Sequence, residues 1–239
     1  MENNIGGKFI AFEGIDGSGK STQLKLLRDG LESKGYKTAV IDFPQYGKKS
    51  AGLVEEYLSG KYGQSQEVTP QQGSIFYACD RFGASFQIRE WLKQGRIVIS
   101  DRYIGSNIGH QGGKLKDQKK WKEYLDWLLN LEYTIFNIPK PDLTFILKTD
   151  PSLSQKLTLS QASSKENEEK SQKRAYLGKE QKDIHDKDLS HLVGAELSYL
   201  RWAKEDKNLV LIDCLENEKL LDPQTIHEKV WDYVKRILN

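Results

Sequence analysis

Residues 14–21 read Gly-Ile-Asp-Gly-Ser-Gly-Lys-Ser and match the pattern G-x-x-x-x-G-K-[ST] at every fixed position, which leaves few folds open to this chain. A strand-type apolar run, residues 9–12, precedes them, and a helical pattern with Leu24 and Leu27 on one face follows them. Strand, glycine-rich turn and helix in this order point several backbone N–H groups and the positive end of a helix dipole at one place. The chain is therefore predicted to bind a nucleotide through its phosphates.

Each residue type in this motif has a chemical task. Lys20 can reach the β- and γ-phosphates of a triphosphate, the hydroxyl of Ser21 can bind Mg²⁺, and Thr22 can contact the α-phosphate. The motif establishes nucleotide binding and leaves the reaction open. The residues predicted to bind ATP are Gly14, Ile15, Asp16, Gly17, Ser18, Gly19, Lys20, Ser21 and Thr22.

Short apolar runs separated by helical patterns predict an α/β fold. The runs are apolar without alternation, which suits strands covered on both faces of a parallel sheet. Strands that alternate with helices indicate a doubly wound sheet. The predicted strands lie at residues 9–12, 39–41, 97–99, 143–147 and 209–212. The predicted helices include residues 71–93, 121–131, 192–202 and a last helix with Asp222 as its N-cap.

Composition gives no reason to expect nucleic acid or a membrane as a partner. Lys and Arg total 36 against 34 Asp and Glu, and the longest apolar runs have only the length of a strand. Residues 1–4 show no signal segment, and Cys79 and Cys214 do not have the spacing of a disulfide framework or a metal site. We therefore expect a reducing cytoplasm as the compartment.

One stretch interrupts the alternation of strands and helices. Between Gln161 and Lys173 no aliphatic residue is larger than Ala162, and polar and charged residues dominate. Such a segment buries little apolar surface and is predicted to be an exposed, mobile excursion. Its composition alone favours a disordered loop, whereas the nucleotide motif favours a lid that closes over a ligand. The prediction is a single P-loop domain, 1–239, with a lid excursion at about residues 152–187.

Distinctive side chains after the predicted strands indicate a second ligand, because ligands of open α/β sheets bind beyond the C-terminal ends of the strands. Asp101 can hold Mg²⁺ or its waters, and Arg102 offers a planar fork for a phosphate. Tyr77 and Arg81 share a helix face, where a ring can stack on a base and a guanidinium can bond a carbonyl oxygen. Asn107 suits a pyrimidine edge. Taken singly, an Asp-Arg pair can also be a structural salt bridge, and a lone Tyr is more often a core residue.

The order and spacing of these motifs resemble the thymidylate kinase family, over about residues 8–236. This resemblance implies transfer of the γ-phosphoryl group of ATP to thymidine monophosphate (dTMP), with Mg²⁺, by a homodimer. It also implies a three-layer α/β/α P-loop NTPase fold with a five-stranded parallel sheet. The segments that carry the resemblance are 13–22, Phe43-Pro44, Tyr77-x-x-x-Arg81, 101–107, 109–111, 140–143 and 183–186.

The resemblance further implies a role for individual residues of the acceptor site. Tyr77 would stack on thymine, Arg81 would bond a base carbonyl, and Asn107 would contact the base edge. His110 would lie near the sugar and Arg102 would bind the acceptor phosphate. The residues implied for dTMP binding are Asp16, Phe43, Tyr77, Arg81, Arg102, Ser106, Asn107, His110 and Gln111.

The chain departs from the family pattern after Phe43-Pro44. Many members carry an arginine there that binds the acceptor phosphate, whereas Gln45 and Tyr46 follow here. Lys48 or Lys49 is the candidate substitute.

A second departure concerns the cation of the transition state. No basic residue precedes Lys20 in the phosphate loop, so the lid is expected to supply one. Arg174 is the only arginine between Arg102 and Arg201, with Lys170 and Lys173 as alternatives. The predicted catalytic residues are Lys20, Asp101, Arg102 and Arg174, and the predicted magnesium ligands are Ser21 and Asp101.

Other functions remain open from the sequence. A deoxynucleoside kinase or another nucleoside-monophosphate kinase could use the same scaffold, and a nucleoside kinase would use a carboxylate such as Glu13 to activate a hydroxyl. A GTP-dependent switch is a more distant alternative. Its N-K-x-D motif needs an amide at the position of Leu147.

Overall fold

The computed structural model describes residues 6–161, 189–206 and 208–238, and five parallel strands form its central sheet. The strands of this sheet are β1 Lys8–Glu13, β2 Thr38–Asp42, β3 Ile97–Asp101, β4 Leu143–Lys148 and β5 Leu209–Asp213. The α-helices are α1 Lys20–Glu32, α2 Gly52–Leu58, α3 Pro70–Lys93, α4 Ile104–Ser106, α5 Gln118–Leu129, α6 Pro151–Gln161, α7 Leu189–Trp202 and α8 Pro223–Leu238. Two π-helices, Asn107–Gln111 and Asn130–Ile135, follow α4 and α5, and a hairpin of β6 Leu215–Glu216 and β7 Lys219–Leu220 follows β5.

The strand order in the sheet is β2-β3-β1-β4-β5. All neighbouring strands are parallel, so their C-terminal ends lie at one edge of the sheet. Asp101 of β3 pairs with Phe12 of β1 on one side and with Asp42 of β2 on the other. This register places the segment after β3 beside the segment after β1, and it confirms the predicted five-stranded parallel sheet.

Helices cover both faces of the sheet. Phe9 and Ala11 of β1 enter an apolar cluster with residues of α3, α5 and α7, whereas Ile10 and Phe12 enter a cluster with residues of α1 and α8. All four side chains are fully buried. A strand covered on both faces is apolar at consecutive positions, which is why these runs do not alternate.

Polar side chains determine where several helices begin. Thr69 and Gln72 form a capping box at the start of α3, each side chain accepting a hydrogen bond from the backbone N–H of the other. Asp117 caps α5, which therefore begins three residues earlier than predicted. Asp222 accepts from the backbone N–H of Thr225 at 3.0 Å and caps α8 as predicted.

The segment predicted to be a lid, about residues 152–187, begins as helix α6. The sequence of Pro151–Gln161 mixes apolar and polar residues without a clear apolar face, which is why no helix was predicted there. Residues 162–188 lie outside the described part of the chain. No helix within the described ranges is long and apolar enough to cross a membrane.

Candidate active site

The phosphate loop connects β1 to α1, and its backbone requires glycine at specific positions. Gly14 and Gly17 have φ angles of +138° and +81°, which residues with a Cβ rarely adopt. A Cβ at Gly17 would also lie 2.5 Å from the carbonyl oxygen of Ser154 in α6. The loop is thus curled as its motif predicts, and α6 packs directly against it.

Lys20 is buried at the start of α1, with its ammonium group inside the phosphate loop. Its Nζ donates to the carbonyl oxygens of Gly14 at 3.0 Å and Ile15 at 2.9 Å. Burial, together with the nearby charge of Arg102, lowers the pKa of Lys20 to about 8. An anionic phosphate bound in this loop would stabilise the charged form of Lys20.

Arg102 reaches the phosphate loop because β3 pairs with β1. Its backbone N–H donates to the carbonyl oxygen of Phe12 at 2.9 Å, and its φ of +68° is rare for a residue other than glycine. The guanidinium donates to Asp16 in the phosphate loop and, at 3.1 Å, to the hydroxyl of Ser106. Strained backbone held by several contacts is a common feature of functional sites.

The charges around Arg102 keep it ionised. Burial alone would lower the pKa of Arg102, but the carboxylates of Asp16 and Asp101 hold that pKa above its ordinary value. The side chain of Arg102 is 18% exposed and that of Asp16 is 56% exposed. The pair is therefore open to water on the Asp16 side, and the binding of an acceptor phosphate by Arg102 stays a prediction.

Glu13 ends β1 with a buried carboxylate that accepts three hydrogen bonds. Its Oε1 accepts from the backbone N–H of Tyr103 at 2.7 Å, and its Oε2 accepts from the hydroxyls of Ser106 at 2.8 Å and Tyr199 at 3.2 Å. Burial raises the pKa of Glu13, and the hydrogen bonds oppose this shift. Glu13 therefore fixes the segment after β3 in place.

Asp101 and Ser21 have the chemistry of a magnesium site. One carboxylate oxygen of Asp101 is buried without a hydrogen-bond partner among the described residues. Carboxylate and hydroxyl oxygens are ligands that Mg²⁺ prefers, together with substrate phosphates and water. Within the same residues no three His, Cys, Asp or Glu side chains could hold a metal by themselves. A cation here would therefore depend on the phosphates of the substrate.

Two amide side chains on the π-helix after α4 line a buried polar region. Asn107 and Gln111 are 2% and 1% exposed. Asn107 donates to the carbonyl oxygen of Ser74 in α3 at 3.1 Å, and Gln111 donates to the hydroxyl of Tyr57 at 3.4 Å. The amide oxygen of Gln111 has no partner in the described part of the chain. A buried acceptor of this kind suits an N–H group of a base.

The aromatic residues predicted for the acceptor site differ in exposure. Tyr77 of α3 is partly exposed and meets the ring of Tyr57 edge-on, with 6.3 Å between ring centroids. Phe43 is buried after β2 against Tyr103, with centroids 5.7 Å apart. Part of the Tyr77 ring is therefore accessible and its stacking on a base stays a prediction, whereas Phe43 is a core residue.

Arg81 is buried and bound to a carboxylate that the sequence did not reveal. Its Nε and Nη2 donate to Glu132 at 2.7 and 2.5 Å, and its Nη1 donates to the carbonyl oxygen of Tyr103 at 3.3 Å. The two charged side chains are 1% and 0% exposed. Three of its five N–H groups are thus used within the protein, and the bond of Arg81 to a base carbonyl stays a prediction.

Gln45 is part of a hydrogen-bonded loop, at the place where the resemblance implies a basic residue after Phe43-Pro44. Its backbone N–H donates to Asp80 at 2.7 Å, and its side-chain oxygen accepts from Lys48. Ser50 donates to the second oxygen of Asp80 at 2.7 Å. Lys48 therefore lies against this loop, and its role as the substitute cation stays a prediction, as does that of the exposed Lys49.

His110, which was expected near the sugar, contacts Arg102 and a second histidine. Its Nε2 lies 3.2 Å from Nη1 of Arg102, and its Nδ1 lies 3.0 Å from Nε2 of His191 in α7. No role was predicted for His191 from the sequence. The two histidines are 81 residues apart, and only the packing of α7 on the π-helix brings them together.

Most of the predicted site residues thus meet at the C-terminal edge of β1 and β3 or in the adjoining polar region. Ile15 and Ser18 are buried in the phosphate loop and Thr22 is exposed on α1. The expected lid cations, Arg174 with Lys170 and Lys173 as alternatives, lie outside the described residues, as does the matching segment 183–186.

Several thymidylate kinases are similar to this chain in sequence. The thymidylate kinase family model matches residues 12–176. A thymidylate kinase from Exiguobacterium is 37% identical over 148 residues, which cover 62% of this chain and 66% of the relative. One from Bifidobacterium longum is 32% identical over 152 residues, or 63% of this chain and 70% of the relative. A probable thymidylate kinase from Methanosarcina barkeri is 29% identical over 233 residues, 96% of this chain and 98% of the relative.

A solved structure supports the fold independently. The Candida albicans thymidylate kinase has a TM-score of 0.66 with this chain at 23% identity, and the match covers 96% of this chain and 92% of that one. At this identity the likeness concerns the fold. The family match over most of the chain, together with relatives above 30% identity, settles its membership. The chain belongs to the thymidylate kinase family.

Proposed function

We propose that this chain transfers the γ-phosphoryl group of ATP to dTMP, giving ADP and dTDP. The observation that carries the proposal is the contact of Arg102 with Asp16. It supports the proposal because the Arg102 guanidinium, which is suited to a phosphate, lies against Asp16 of the glycine-rich loop. Family membership supports ATP and dTMP as the two substrates.

The reaction requires alignment and charge neutralisation more than covalent chemistry. A phosphate oxygen of dTMP attacks the γ-phosphorus of ATP while the bond from that phosphorus to the β,γ-bridging oxygen breaks, and ADP leaves. The attacking oxygen is already anionic, so no general base is needed. Lys20 holds the donor phosphates and Arg102 holds the acceptor phosphate, so their charges offset the repulsion between the two anions.

Ser21 and Asp101 are the residues that would hold Mg²⁺. An ion held there would neutralise part of the charge that develops on the leaving ADP. The hydroxyl of Ser21 and the unpartnered carboxylate oxygen of Asp101 supply protein ligands of the right chemistry.

Arg174 is proposed as the transition-state cation, with Lys170 and Lys173 as alternatives. The support is chemical: no basic residue of the phosphate loop precedes Lys20, and a cation contributed by another part of the same chain can take this role.

Two observations argue against the alternative functions. A nucleoside kinase needs a carboxylate free to accept a proton, whereas Glu13 already accepts three hydrogen bonds in a fully buried position. A GTP-dependent switch needs an amide at position 147 to read guanine, and Leu147 is instead buried in β4.

We further propose that the chain forms a homodimer through α3. Ile75, Phe82 and Phe86 are spaced seven and four residues apart on one face of this helix, and they are 41%, 40% and 64% exposed. Such a concentration of exposed apolar side chains marks an interaction surface. Sedimentation of the protein and of its Phe86→Glu variant tests this, with a dimer expected for the first and a monomer for the second.

A reducing cytoplasm is proposed as the compartment. Both cysteines of the chain, Cys79 and Cys214, are free thiols in the structure. Free thiols are typical of proteins in reducing compartments.

The assignment is tested by ADP release with ATP, Mg²⁺ and a panel of acceptors containing dTMP, thymidine, dUMP and dGMP. We expect dTMP to give the highest kcat/KM. Preference for thymidine over dTMP would overturn the proposal in favour of a nucleoside kinase.

A further inference from the structure

A directed chain of side-chain hydrogen bonds links Arg102 to His110 and His110 to His191. The nitrogen–nitrogen distances are 3.2 and 3.0 Å. The two imidazole rings are inclined by only 20°, with centroids 5.2 Å apart. The distance between centroids is close to the 3.0 Å nitrogen–nitrogen distance plus the distance from each of these nitrogens to its own ring centroid. The rings therefore lie side by side in one plane, the geometry of a hydrogen bond between imidazoles.

The donors and acceptors of this chain define one tautomer for each histidine. A guanidinium can only donate, so Nε2 of His110 must accept and carries no proton. His110 then holds its proton on Nδ1 and donates it to Nε2 of His191. His191 must in turn carry its own proton on Nδ1. Which ring nitrogen of a histidine carries the proton depends on the bond that the other nitrogen makes. The acceptor on His191 therefore favours the form of His110 whose Nε2, facing Arg102, is unprotonated.

We propose that His191 is a positioning residue for the acceptor phosphate, because it holds His110 in the tautomer that accepts a hydrogen bond from Arg102. Without the acceptor on His191, the Nδ1–H of His110 loses this hydrogen bond, so the tautomer with the proton on Nε2, pointing at the Arg102 guanidinium, becomes more populated. Arg102 would then lose one of its partners and sample more orientations. The inference rests on the proposed function in that Arg102 is taken to bind the acceptor phosphate.

The packing of α7 makes this role physically reasonable, because it holds His191 at a defined distance from the site. A Cβ at Gly109 would lie 2.4 Å from the ring of Tyr199, so α7 and the π-helix approach as closely as glycine allows. Farther along the same helix, Ser198 accepts a hydrogen bond from the indole N–H of Trp121 at 2.7 Å.

Steady-state kinetics of His191→Phe and His191→Gln test the proposal. Phenylalanine keeps a ring and removes the acceptor, whereas the amide oxygen of glutamine can accept from Nδ1 of His110. We expect His191→Phe to lower kcat/KM for dTMP by about three- to tenfold, the usual range for losing one hydrogen bond, through a higher KM for dTMP. KM for ATP should stay within about twofold of the wild type, and His191→Gln should recover most of the loss.

The matched control is Leu197→Ala on the same helix, an exposed position away from the hydrogen-bonded chain. It should leave KM for dTMP unchanged. Equal losses in the Phe and Gln variants, or a parallel rise in KM for ATP, would mean that His191 only supports α7 and would overturn the proposal.

A readout without catalysis separates this inference from the proposed function. Nitrogen NMR of the imidazole rings in the free protein should show both His110 and His191 with the proton on Nδ1, and His191→Phe should shift the His110 signals toward a mixture of tautomers. An Nε2-protonated His110 in the wild type would refute the inference whatever the acceptor specificity. If the wild-type protein shows the expected tautomers but does not phosphorylate dTMP, only the proposed function is refuted.

Discussion

Replacement of Glu196 by Gln is expected to stabilise the fold at and above neutral pH. Glu196 lies on α7 with 6% of its side chain exposed, and neither carboxylate oxygen has a hydrogen-bond partner among the described residues. Burial raises the pKa of Glu196 to about 7, and the charge of Lys148 offsets only part of that effect. The ionised form is therefore unfavourable in the folded protein.

The size and sign of the effect follow from this pKa. The folded value of about 7 exceeds the ordinary value of 4.5 by about 2.5 units, and at about 1.4 kcal/mol per unit the difference corresponds to about 3 kcal/mol. Between these two values the folded state binds more protons than the unfolded state, so stability falls as pH rises from about 4.5 to 7. The glutamine variant has no such loss. The gain in free energy of unfolding of the variant over the wild type should be near zero at pH 4.5 and about 3 kcal/mol at pH 8.

Thermal or urea unfolding of both proteins from pH 4.5 to 8.5 measures this difference. For a chain of this size about 3 kcal/mol corresponds to a rise in Tm of roughly 6–12 °C. Glu123→Gln, at an exposed position of α5, is the control and should show no pH-dependent gain. A Glu196→Gln variant that is less stable than the wild type at pH 8, or a difference that does not change with pH, would refute this account of Glu196.

Three further outcomes follow from the site. Since Lys20 loses its proton above its pKa of about 8, kcat/KM for ATP should fall about tenfold per pH unit above that value; a profile flat to pH 9.5 would contradict this. Glu132→Ala leaves the buried charge of Arg81 without its partner, so unfolding in urea should show a loss of about 3–5 kcal/mol, and a loss under 1 kcal/mol would argue against a buried ion pair. Arg174→Ala should lower kcat by about 10³-fold or more with little change in KM for dTMP. A kcat within threefold of the wild type would assign the transition-state cation elsewhere.

The parts of the site that could be predicted are those with a local signal. The glycine pattern of residues 14–21 stands between an apolar run and a helical pattern, so its position and its curled backbone followed from sequence. Asp101 and Arg102 could be placed at the same edge because parallel strands end together. Their register with Phe12 confirms that placement.

The remaining features depend on contacts between distant segments. Glu132 is 51 residues from Arg81 and His191 is 81 residues from His110, and neither carries a motif of its own. Only the packing of α7 and of the π-helix Asn130–Ile135, which contains Glu132, gives these side chains their partners. Helix α6 was missed for a different reason: its sequence lacks a clear apolar face, yet it packs against the phosphate loop at Gly17.

In the proposed reaction the donor and acceptor phosphates meet end to end between Lys20 and Arg102. Competition by a compound that joins adenosine to thymidine through five phosphates tests this arrangement, because such a compound spans both sites at once. We expect it to compete with both ATP and dTMP and to bind far more tightly than either, with the affinity reduced in Arg102→Ala. Competition with ATP alone, unaffected by that substitution, would show that the two sites do not adjoin and would contradict the account.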